Sequence, residues 1–254
     1  MNKTEKVRFQ GILGDLRRAD ERFCLIADGD KIAVGVSGGK DSLLLTRALA
    51  AYREFGIKQF AIVAITVDCT GGAADYSRVG AFCEELGVKY VLVPSQIFEI
   101  IFNVRKEKNP CSLCSKLRRG MLNSAAVAQG CNKVALGHHS DDLTETFLLS
   151  MLYEGRLSTF MPKSFLDKTN LVLIRPFVFV AESDIVSFAK NLPVVVNPCP
   201  ANHNTQREYM KKLVAKLSSE IPDARERMVA AITSPERYNL YDKSFDEVYK
   251  KKHN

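Results

Sequence analysis

A glycine-rich stretch between two apolar runs constrains the fold of this chain more than any other feature. Residues 37–42 read Ser-Gly-Gly-Lys-Asp-Ser; Lys-Ile-Ala-Val-Gly-Val (31–36) precedes them and Leu-Leu-Leu-Thr-Arg-Ala-Leu (43–49) follows. This order predicts a buried strand, a tight turn and the beginning of a helix. The glycines suit the turn because, without a Cβ, they take positive φ and let the backbone approach a ligand closely.

The side chains of this stretch predict a site for a phosphate and a metal ion. The first turn of a helix offers N–H groups and the positive end of the helix dipole, which both attract a phosphate. Two serine hydroxyls and the Lys40 ammonium add donors and charge. Asp41 would repel a phosphate, but its carboxylate suits a Mg²⁺ ion held against the phosphates. We therefore expect a nucleotide at Ser37, Gly38, Gly39, Lys40, Asp41 and Ser42, with Lys40 and Asp41 acting in catalysis.

The stretch differs from the phosphate loop of kinase-type nucleotide-binding proteins. That loop requires Gly-x-x-x-x-Gly-Lys-Ser/Thr, whereas here Val34 stands where the first glycine belongs and Asp41 follows Lys40. The hexapeptide instead resembles the loop of the PP-loop ATP pyrophosphatases, which split ATP into AMP and pyrophosphate. The resemblance implies ATP as the nucleotide.

Length and composition limit the class of protein. A chain of 254 residues with 46% hydrophobic residues is long enough for one large α/β domain, alone or with a small appendage. No run of eighteen apolar residues suggests a membrane span, and the polar start of the chain lacks the apolar stretch of a signal peptide. We therefore expect a cytoplasmic protein without a membrane partner. The net charge of +7 permits a polyanionic partner without requiring one.

Apolar runs that alternate with helical stretches predict a parallel sheet. Strands are expected at 31–36, 60–67, 88–93, 133–137 and 171–176, with a possible sixth at 193–196. Helices are expected near the N-terminus, up to about residue 55, at 76–86, before residue 130, at 141–153, at 183–189 and from 205 onward. Such alternation produces crossover units, so the sequence predicts an α/β fold with a Rossmann-like parallel sheet flanked by helices. We divide the chain into an N-terminal helical segment (1–25), a central domain (26–200) with an insertion near 105–120, and a C-terminal helical segment (201–254).

The residues that follow the strands are expected to meet in one crevice, because ligands of such sheets bind beyond the carboxyl ends of the strands. Beside the 37–42 loop, the nucleotide would contact Val36, Val67, Asp68, Gly137 and His138. The backbone groups of the two valines are the expected adenine contacts. For one of the two adjacent histidines, His138 or His139, a structural role is an equal alternative.

An acidic pair lies just past the end of the fourth strand. Asp141 or Asp142 could serve as a metal ligand or as a proton acceptor, and we expect Asp141 to be catalytic and Asp142 to contact the nucleotide. The alternative is helix capping, since acidic residues in a first turn stabilise the helix dipole in any case. Glu145, one turn further on, is expected to support Arg156 or Lys163.

Three of the seven cysteines stand out from the rest. Cys111 and Cys114 form Cys-Ser-Leu-Cys, and Cys199 lies in the rigid sequence Asn-Pro-Cys-Pro. On spacing alone, the three thiols fit either a [4Fe–4S] cluster with one open iron or a zinc site completed by His203 or water. A disulfide framework is not expected in a cytoplasmic chain. We expect the remaining four to be small buried hydrophobes: Cys24, Cys69, Cys83 and Cys131.

Several segments together resemble one particular family. Cys-Ser-Leu-Cys-Ser-Lys-Leu-Arg-Arg-Gly (111–120) and Gly-His-His-Ser-Asp-Asp-Leu-Thr-Glu-Thr-Phe (137–147) are similar to hallmark sequences of the tRNA 2-thiocytidine synthetases. Tyr-Glu-Gly-Arg (153–156), Met-Pro-Lys (161–163) and Ile-Arg-Pro-Phe (174–177) follow in the same order. The resemblance runs from about residue 5 to about residue 235, which is nearly the whole chain.

This resemblance implies a reaction and its partners. ATP would adenylate the C2 oxygen of a cytidine, at position 32 of tRNA in the family, and sulfur would then displace AMP. A [4Fe–4S] cluster on Cys111, Cys114 and Cys199 would bind the incoming sulfur. The implied partners are tRNA, a sulfur donor (a cysteine desulfurase or free sulfide) and a second copy of the chain in a homodimer.

The basic residues that follow the cysteine pair are candidates for RNA contact. Arg118 and Arg119 are expected to bind tRNA phosphates or to stabilise the pyrophosphate, and a solvated helix face is the alternative. A flipped base needs a pocket, for which Phe147, Tyr153 and Phe160 are the nearby aromatic candidates.

Two other functions remain open at this point. The first is a PP-loop sulfurtransferase or ligase that acts on another tRNA base or on a small molecule. The second is an RNA-binding protein stabilised by zinc, against which the Asp41 carboxylate argues, because a binding protein has no need of a Mg²⁺ ligand.

Overall fold

The computed structural model describes residues 3–56, 58–105, 110–196, 199, 206–238 and 240. Within these ranges the strands are β1 (Lys31–Gly35), β2 (Ala61–Asp68), β3 (Lys89–Pro94), β4 (Lys133–Ala135), β5 (Lys163–Leu166) and β6 (Leu171–Ile174). The helices are α1 (Lys3–Phe23), α2 (Lys40–Glu54), α3 (Ser77–Glu85), α4 (Pro110–Ala128), α5 (Ser140–Glu154), α6 (Glu182–Phe188), α7 (Gln206–Glu220) and α8 (Ala224–Thr233).

The strands form one sheet in the order β3-β2-β1-β4-β6-β5, in which only β5 runs antiparallel to its neighbour. The strand order reverses between β1 and β4, so the ends of these two strands flank the topological switch point where ligands of such sheets bind. The α/β fold with a parallel sheet flanked by helices, predicted from the alternation of runs, is confirmed.

Helices cover both faces of the sheet, and this explains the unbroken apolar runs of its central strands. Successive strand residues point to opposite faces. Ile32 and Val34 therefore pack into the core beneath α1, α2, α3 and α6, whereas Ala33 packs into a second core beneath α4. A third apolar cluster, between α5 and α7, contains Leu148, Met210 and Val214.

Several predicted element boundaries require correction. The antiparallel edge strand β5 (Lys163–Leu166) was not predicted, because four residues with two exposed positions give a weak apolar signal. The possible strand at 193–196 is not a strand. A π-helical turn, Glu99–Val104, precedes α4 in the sequence and was also not predicted. The division into three segments stays a prediction, although α1 contributes Ile12 and Leu16 to the same core as the sheet.

None of the helices in the described ranges is long and apolar enough to cross a membrane.

Candidate active site

A cavity of about 320 Å³ lies at the carboxyl ends of the central strands, beside the switch point. We call it the nucleotide cavity, after the phosphate site predicted from the sequence. The strand ends and first helical turns that line it bring together residues predicted from three separate loops. These are Val36, Ser37, Asp41, Ser42, Val67, Gly137, His138 and Asp142.

The loop between β1 and α2 is held by hydrogen bonds among its own residues. The Ser37 N–H donates to Ser42 Oγ at 3.1 Å, and the Gly39 N–H donates to Ser37 Oγ at 3.3 Å. The Ser42 hydroxyl donates in turn to the Gly39 carbonyl at 2.9 Å. No side chain among the described residues caps the N-terminus of α2 at Gly39. The N–H groups of that first turn are therefore available to an anion.

The close approach of β4 to this loop requires a glycine at position 137. A Cβ there would lie 3.0 Å from the carbonyl carbon and oxygen of Asp41 and 3.2 Å from the Ser42 nitrogen. Only a residue without a side chain lets the end of β4 pass the first turn of α2 at this distance. Gly137 therefore shapes the nucleotide cavity by the close packing of two backbones.

Lys40 lies outside the nucleotide cavity, in a network of charges at its side. Its Nζ lies 2.8 Å from Asp41 Oδ1 and 3.1 Å from Glu182 Oε1. Lys211 contacts the same Glu182 oxygen at 2.8 Å. Burial opposes the charge of Glu182, but the hydrogen bonds from Lys211 and Lys40 outweigh it and hold the pKa of Glu182 at about 2. These groups line a separate cavity of about 220 Å³.

The two adjacent aspartates occupy different environments. Asp141 is only 3% exposed; its carboxylate lies 2.8 Å from Arg225 Nη1 and accepts the Glu182 N–H at 2.7 Å. It lines none of the cavities described here. Its carboxylate joins α5 to α6 and α8 in this structure, and a catalytic role for Asp141 stays a prediction.

Asp142 faces the nucleotide cavity and also caps its helix. Its Oδ2 accepts the His139 N–H at 3.1 Å, which completes a capping box with the His139 ring. Its Oδ1 lies 2.8 Å from Arg207 Nη2. Capping and ligand contact, which the sequence presents as alternatives, are therefore compatible at this residue.

Arg207 contributes to the site from α7, far along the chain, and was not predicted. It lines the nucleotide cavity and lies 3.6 Å from Glu145 Oε2. The expected support of Arg156 or Lys163 by Glu145 is wrong: Arg156 pairs with Glu154 instead. Burial and the charge of Asp142 raise the pKa of Glu145 to about 7.

His138 is a neutral donor at the wall of the nucleotide cavity. Burial and the nearby Arg175 charge lower its pKa to about 4. Its Nδ1 accepts a hydrogen bond from Arg175 Nε at 3.3 Å, so that the ring proton lies on Nε2. Its ring packs on Phe160, with 5.1 Å between the centroids. His139 is buried and serves as the N-cap of α5.

Asp68 and the two glycines of the loop do not line the nucleotide cavity. The Asp68 carboxylate accepts hydrogen bonds from the N–H and hydroxyl of Thr70 at 2.8 and 2.6 Å, and from the Gly72 N–H at 2.8 Å. It therefore organises the turn after β2. A direct contact with the nucleotide stays a prediction for these residues.

A second cavity, of about 440 Å³, adjoins the first. It is lined by the three predicted cysteines, Cys111 and Cys114 from the start of α4 and Cys199, and by Cys69 from the end of β2. We call it the cysteine cavity. Its other lining residues include the rings of Tyr76, Phe98 and Phe102. None of the three aromatic residues suggested from the sequence lines either cavity: Phe147, Tyr153 and Phe160.

The cysteine cavity favours a thiolate. A hydrogen bond from the Cys69 thiol and the charge of Arg118 lower the pKa of Cys114. The same hydrogen bond, together with burial, raises the pKa of Cys69. Thiolates are the ligands of iron–sulfur clusters and of zinc. Four thiols on one cavity wall therefore form a donor set that fits such a group.

The four thiols line one cavity but do not form a group of metal ligands in the described residues. In the ranges that the structure describes, no three His, Cys, Asp or Glu side chains stand where they could hold one metal ion. His203, the alternative zinc ligand, lies outside the described residues. The expected burial of the other cysteines is right for Cys83 and Cys131 but wrong for Cys24, which is exposed, and for Cys69, which is half-buried.

The two cavities share part of their walls. Ser37, Val67, Ser115 and Arg118 line both of them. Arg119 lines the nucleotide cavity, and both arginines are exposed on α4. A substrate activated in one cavity would therefore be in reach of the thiols of the other.

Comparison with known proteins identifies relatives over most of the chain. The PP-loop domain family matches residues 8–217. A Geobacter sulfurreducens protein named tRNA-cytidine(32) 2-sulfurtransferase is 35% identical over 247 residues, which cover 95% of this chain and 96% of the relative. A Geobacter metallireducens protein of the same name is 34% identical and covers 98% of each chain.

Among solved structures, the U34-tRNA thiolase NcsA from Methanococcus maripaludis, described with its [4Fe–4S] cluster, has the same fold. Its TM-score is 0.73 at 23% identity, over 94% of this chain and 82% of that one.

Proposed function

The chain belongs to the tRNA-cytidine(32) 2-sulfurtransferase family of PP-loop proteins, and we propose that it replaces the C2 oxygen of a tRNA cytidine by sulfur at the expense of ATP. The observation that carries this proposal is the wall shared by the nucleotide cavity and the cysteine cavity. Activation by ATP and delivery of sulfur must act on the same carbon, and adjoining cavities allow both.

Adenylation makes the C2 oxygen a good leaving group, and the residues of the nucleotide cavity suit this step. The N–H groups at the start of α2 and the hydroxyls of Ser37 and Ser42 would hold the β- and γ-phosphates in place as the leaving group. Asp41 lines the cavity and would hold Mg²⁺ against these phosphates. The His138 Nε2–H would donate to the nucleotide.

Lys40 would turn toward the phosphates without leaving Glu182 unpaired. Glu182 is shared between Lys40 and Lys211. When Lys40 moves to a phosphate, Lys211 still neutralises Glu182. This second partner lowers the energetic cost of the exchange, since a buried charge without a partner is expensive.

The cysteine cavity would hold a [4Fe–4S] cluster on Cys111, Cys114 and Cys199, the set that the family resemblance implies. When bound, such a cluster supplies an iron site that can carry the incoming sulfur. The Cys69 thiol lines the same cavity as Cys114, and its contribution to the lowered pKa of Cys114 would stabilise the thiolate that the cluster requires. The sulfur donor, a cysteine desulfurase or free sulfide, belongs to this proposal, as do a homodimeric state and a cytoplasmic location.

Arg118 and Arg119 would serve two tasks. Both are exposed on α4 and both line the nucleotide cavity. From this position they would bind tRNA phosphates beside the nucleotide cavity. Arg118, which lines both cavities, would also contact the substrate near the thiols. The aromatic rings that line the cysteine cavity, such as Tyr76 and Phe98, are the candidates for stacking on the flipped base.

Mass spectrometry of tRNA nucleosides tests the proposal. A strain that lacks the gene is expected to lose 2-thiocytidine, and the wild-type gene is expected to restore it, whereas a gene with Asp41→Ala is not. Unchanged 2-thiocytidine together with the loss of another thiolated nucleoside would move the activity to another base. An unchanged set of thiolated nucleosides would point to a small-molecule substrate.

A further inference from the structure

The loop of the nucleotide cavity is hydrogen-bonded to the segment that leads to Cys199. The Val195 N–H donates to the Gly38 carbonyl at 3.0 Å. We call residues 192–196 the strap. At its beginning Leu192 is buried, and the Leu192 carbonyl accepts the Val194 N–H at 2.8 Å. The strap is therefore fixed to the core at one end and to the loop in its middle, and Cys199 lies three residues beyond it.

Packing holds the same two backbones together. Gly38 has φ +83°, in the left-handed region, and a Cβ at this position would lie 2.9 Å from Val195 Cβ and 3.4 Å from Tyr76 Cε1. Both factors favour glycine, and the absence of a side chain lets Val195 rest directly on the loop. A displacement of Gly38 toward the strap would therefore press directly on the Val195 side chain.

One peptide group connects the loop and the strap. The carbonyl of Gly38 and the N–H of Gly39 belong to the same planar unit. Its carbonyl accepts the Val195 N–H, while its N–H donates to Ser37 Oγ inside the loop. A phosphate that takes over this N–H would rotate or polarise the whole unit, because the two ends cannot move independently and linked hydrogen bonds strengthen one another.

The strap lies beside the cysteine cavity, so a movement of the peptide unit would act on that cavity. Val195, Val196 and Cys199 line the cysteine cavity, and Ser37 lines both cavities. The contact between Gly38 and Val195 therefore lies between the predicted phosphate site and a predicted cluster ligand.

We propose that the Gly38–Gly39 peptide couples nucleotide binding to the position of Cys199 through the strap, with Val195 as the positioning residue. This inference rests on the proposed nucleotide and cysteine sites but not on the identity of the RNA. A bound nucleotide holds the strap against the loop and Cys199 against its cavity. A bound nucleotide therefore raises the affinity of the cysteine cavity for its ligand. By linkage, a filled cysteine cavity raises the affinity for the nucleotide by the same factor.

The first test measures how fast iodoacetamide alkylates Cys199 in the full chain, prepared anaerobically without iron. A non-hydrolysable ATP analogue with Mg²⁺, at saturating concentration, is expected to slow this reaction about fivefold or more. Cys24, which is exposed and lines neither cavity, serves as the internal control and should react at the same rate. Equal rates at Cys199 with and without the analogue would overturn the inference.

The second test uses the reciprocal effect and two variants. The full chain reconstituted with iron and sulfide is expected to bind the analogue about fivefold more tightly than the iron-free chain. Val195→Pro removes the N–H donor and should abolish this ratio, whereas Val195→Ala keeps the donor and should retain most of it. A folded Val195→Pro protein with the wild-type ratio would overturn the inference. If this variant does not fold, the two wild-type measurements still decide.

These outcomes separate the inference from the proposed function. A wild-type chain that binds the analogue and thiolates tRNA, but shows no coupling, overturns only the inference. A wild-type chain that does not bind the analogue overturns both the inference and the proposed nucleotide site. Coupling in a chain that thiolates no tRNA supports the inference and overturns the RNA substrate alone.

Discussion

The nucleotide cavity and the cysteine cavity adjoin each other but are built in different ways. One wall of the nucleotide cavity comes from a single stretch, residues 36–42, whose hydroxyl and N–H groups already bond to one another. The cysteine cavity takes its thiols from three distant segments. Within the described residues, no three potential ligands stand where they could hold one metal ion. The first site is therefore built by one contiguous stretch, whereas the second depends on the packing of segments that are far apart in the sequence.

This difference has a consequence for stability. A loop that is already held by its own hydrogen bonds gains little order from its ligand. When a cluster brings thiols together, part of its binding free energy stabilises the segments that carry them. Loss of the cluster should therefore loosen the segment near Cys199 more than loss of ATP loosens the 37–42 loop. The predictions below test whether the two cavities can be damaged independently.

The largest expected effect is the loss of thiolation when a cluster ligand is removed. Cys111→Ala, Cys114→Ala or Cys199→Ala should reduce the iron content and abolish tRNA thiolation, because three thiolates hold the cluster. ATP binding should remain measurable, since these thiols do not line the nucleotide cavity. Iron analysis and nucleotide titration of anaerobic preparations check both parts.

The buried cysteines provide the matched control for these variants. Cys83→Ala and Cys131→Ala should keep the iron and cost on the order of 1 kcal/mol of stability. Cys69 decides the ligand set: if iron survives Cys199→Ala but falls in Cys69→Ala, the third ligand has been wrongly assigned. Zinc in place of iron in every anaerobic preparation would exclude the proposed route of sulfur.

Asp41→Ala should damage the nucleotide cavity directly and leave the thiols of the cysteine cavity in place. Without this carboxylate, Mg²⁺ is held less firmly against the phosphates, so pyrophosphate release should fall by a factor of about 100 or more. The side chain is about one-third exposed, at 34%, so the variant should fold. The iron content should not change. Normal turnover in this variant would contradict the assignment of Asp41.

The same contrast explains how much could be predicted from the sequence. The 37–42 loop is contiguous, so its glycines, hydroxyls and charges predict a phosphate site before any fold is known. The alternation of apolar runs predicts the parallel sheet, because strands covered on both faces need no polar positions. Both predictions depend on neighbours in the sequence.

The remaining features depend on contacts between distant parts of the chain. Arg207 meets Asp142 and Glu145 only because α7 packs on α5. The position of Asp141 is set by Arg225, 84 residues further along the chain. No local pattern distinguishes an aspartate that faces a cavity from its neighbour that faces a helix. Such assignments require the packing of the helices.

Arg118 lines both cavities and Arg119 lines the nucleotide cavity, and their substitution tests whether they bind RNA or the nucleotide. Arg118→Ala with Arg119→Ala should weaken tRNA binding and reduce its salt dependence by up to about two phosphate contacts. Binding of ATP should change little in comparison. Measurements of tRNA affinity at several salt concentrations test this. An unchanged salt slope together with lost ATP binding would assign both arginines to the nucleotide.

The smallest expected effect concerns the charge network beside the nucleotide cavity. Burial and the charge of Asp142 raise the pKa of Glu145 to about 7, from 4.5. Between these two values the folded protein keeps a proton that the unfolded chain has released. Stability is therefore fully present below about pH 4.5 and falls as the pH rises toward 7.

Glu145→Gln cannot ionise and should remove this part of the pH dependence. The wild-type protein should lose at most about 3 kcal/mol between pH 5 and 8 that the variant keeps, and partial neutralisation by the half-exposed Arg207 reduces this figure. Urea unfolding at the two pH values measures the difference. Glu226→Gln, at an exposed position of α8, is the matched control. If the free energy of unfolding of Glu145→Gln changes with pH as much as that of Glu226→Gln and of the wild-type protein, then Glu145 is ionised throughout this range. Its carboxyl group then holds no proton in the folded protein.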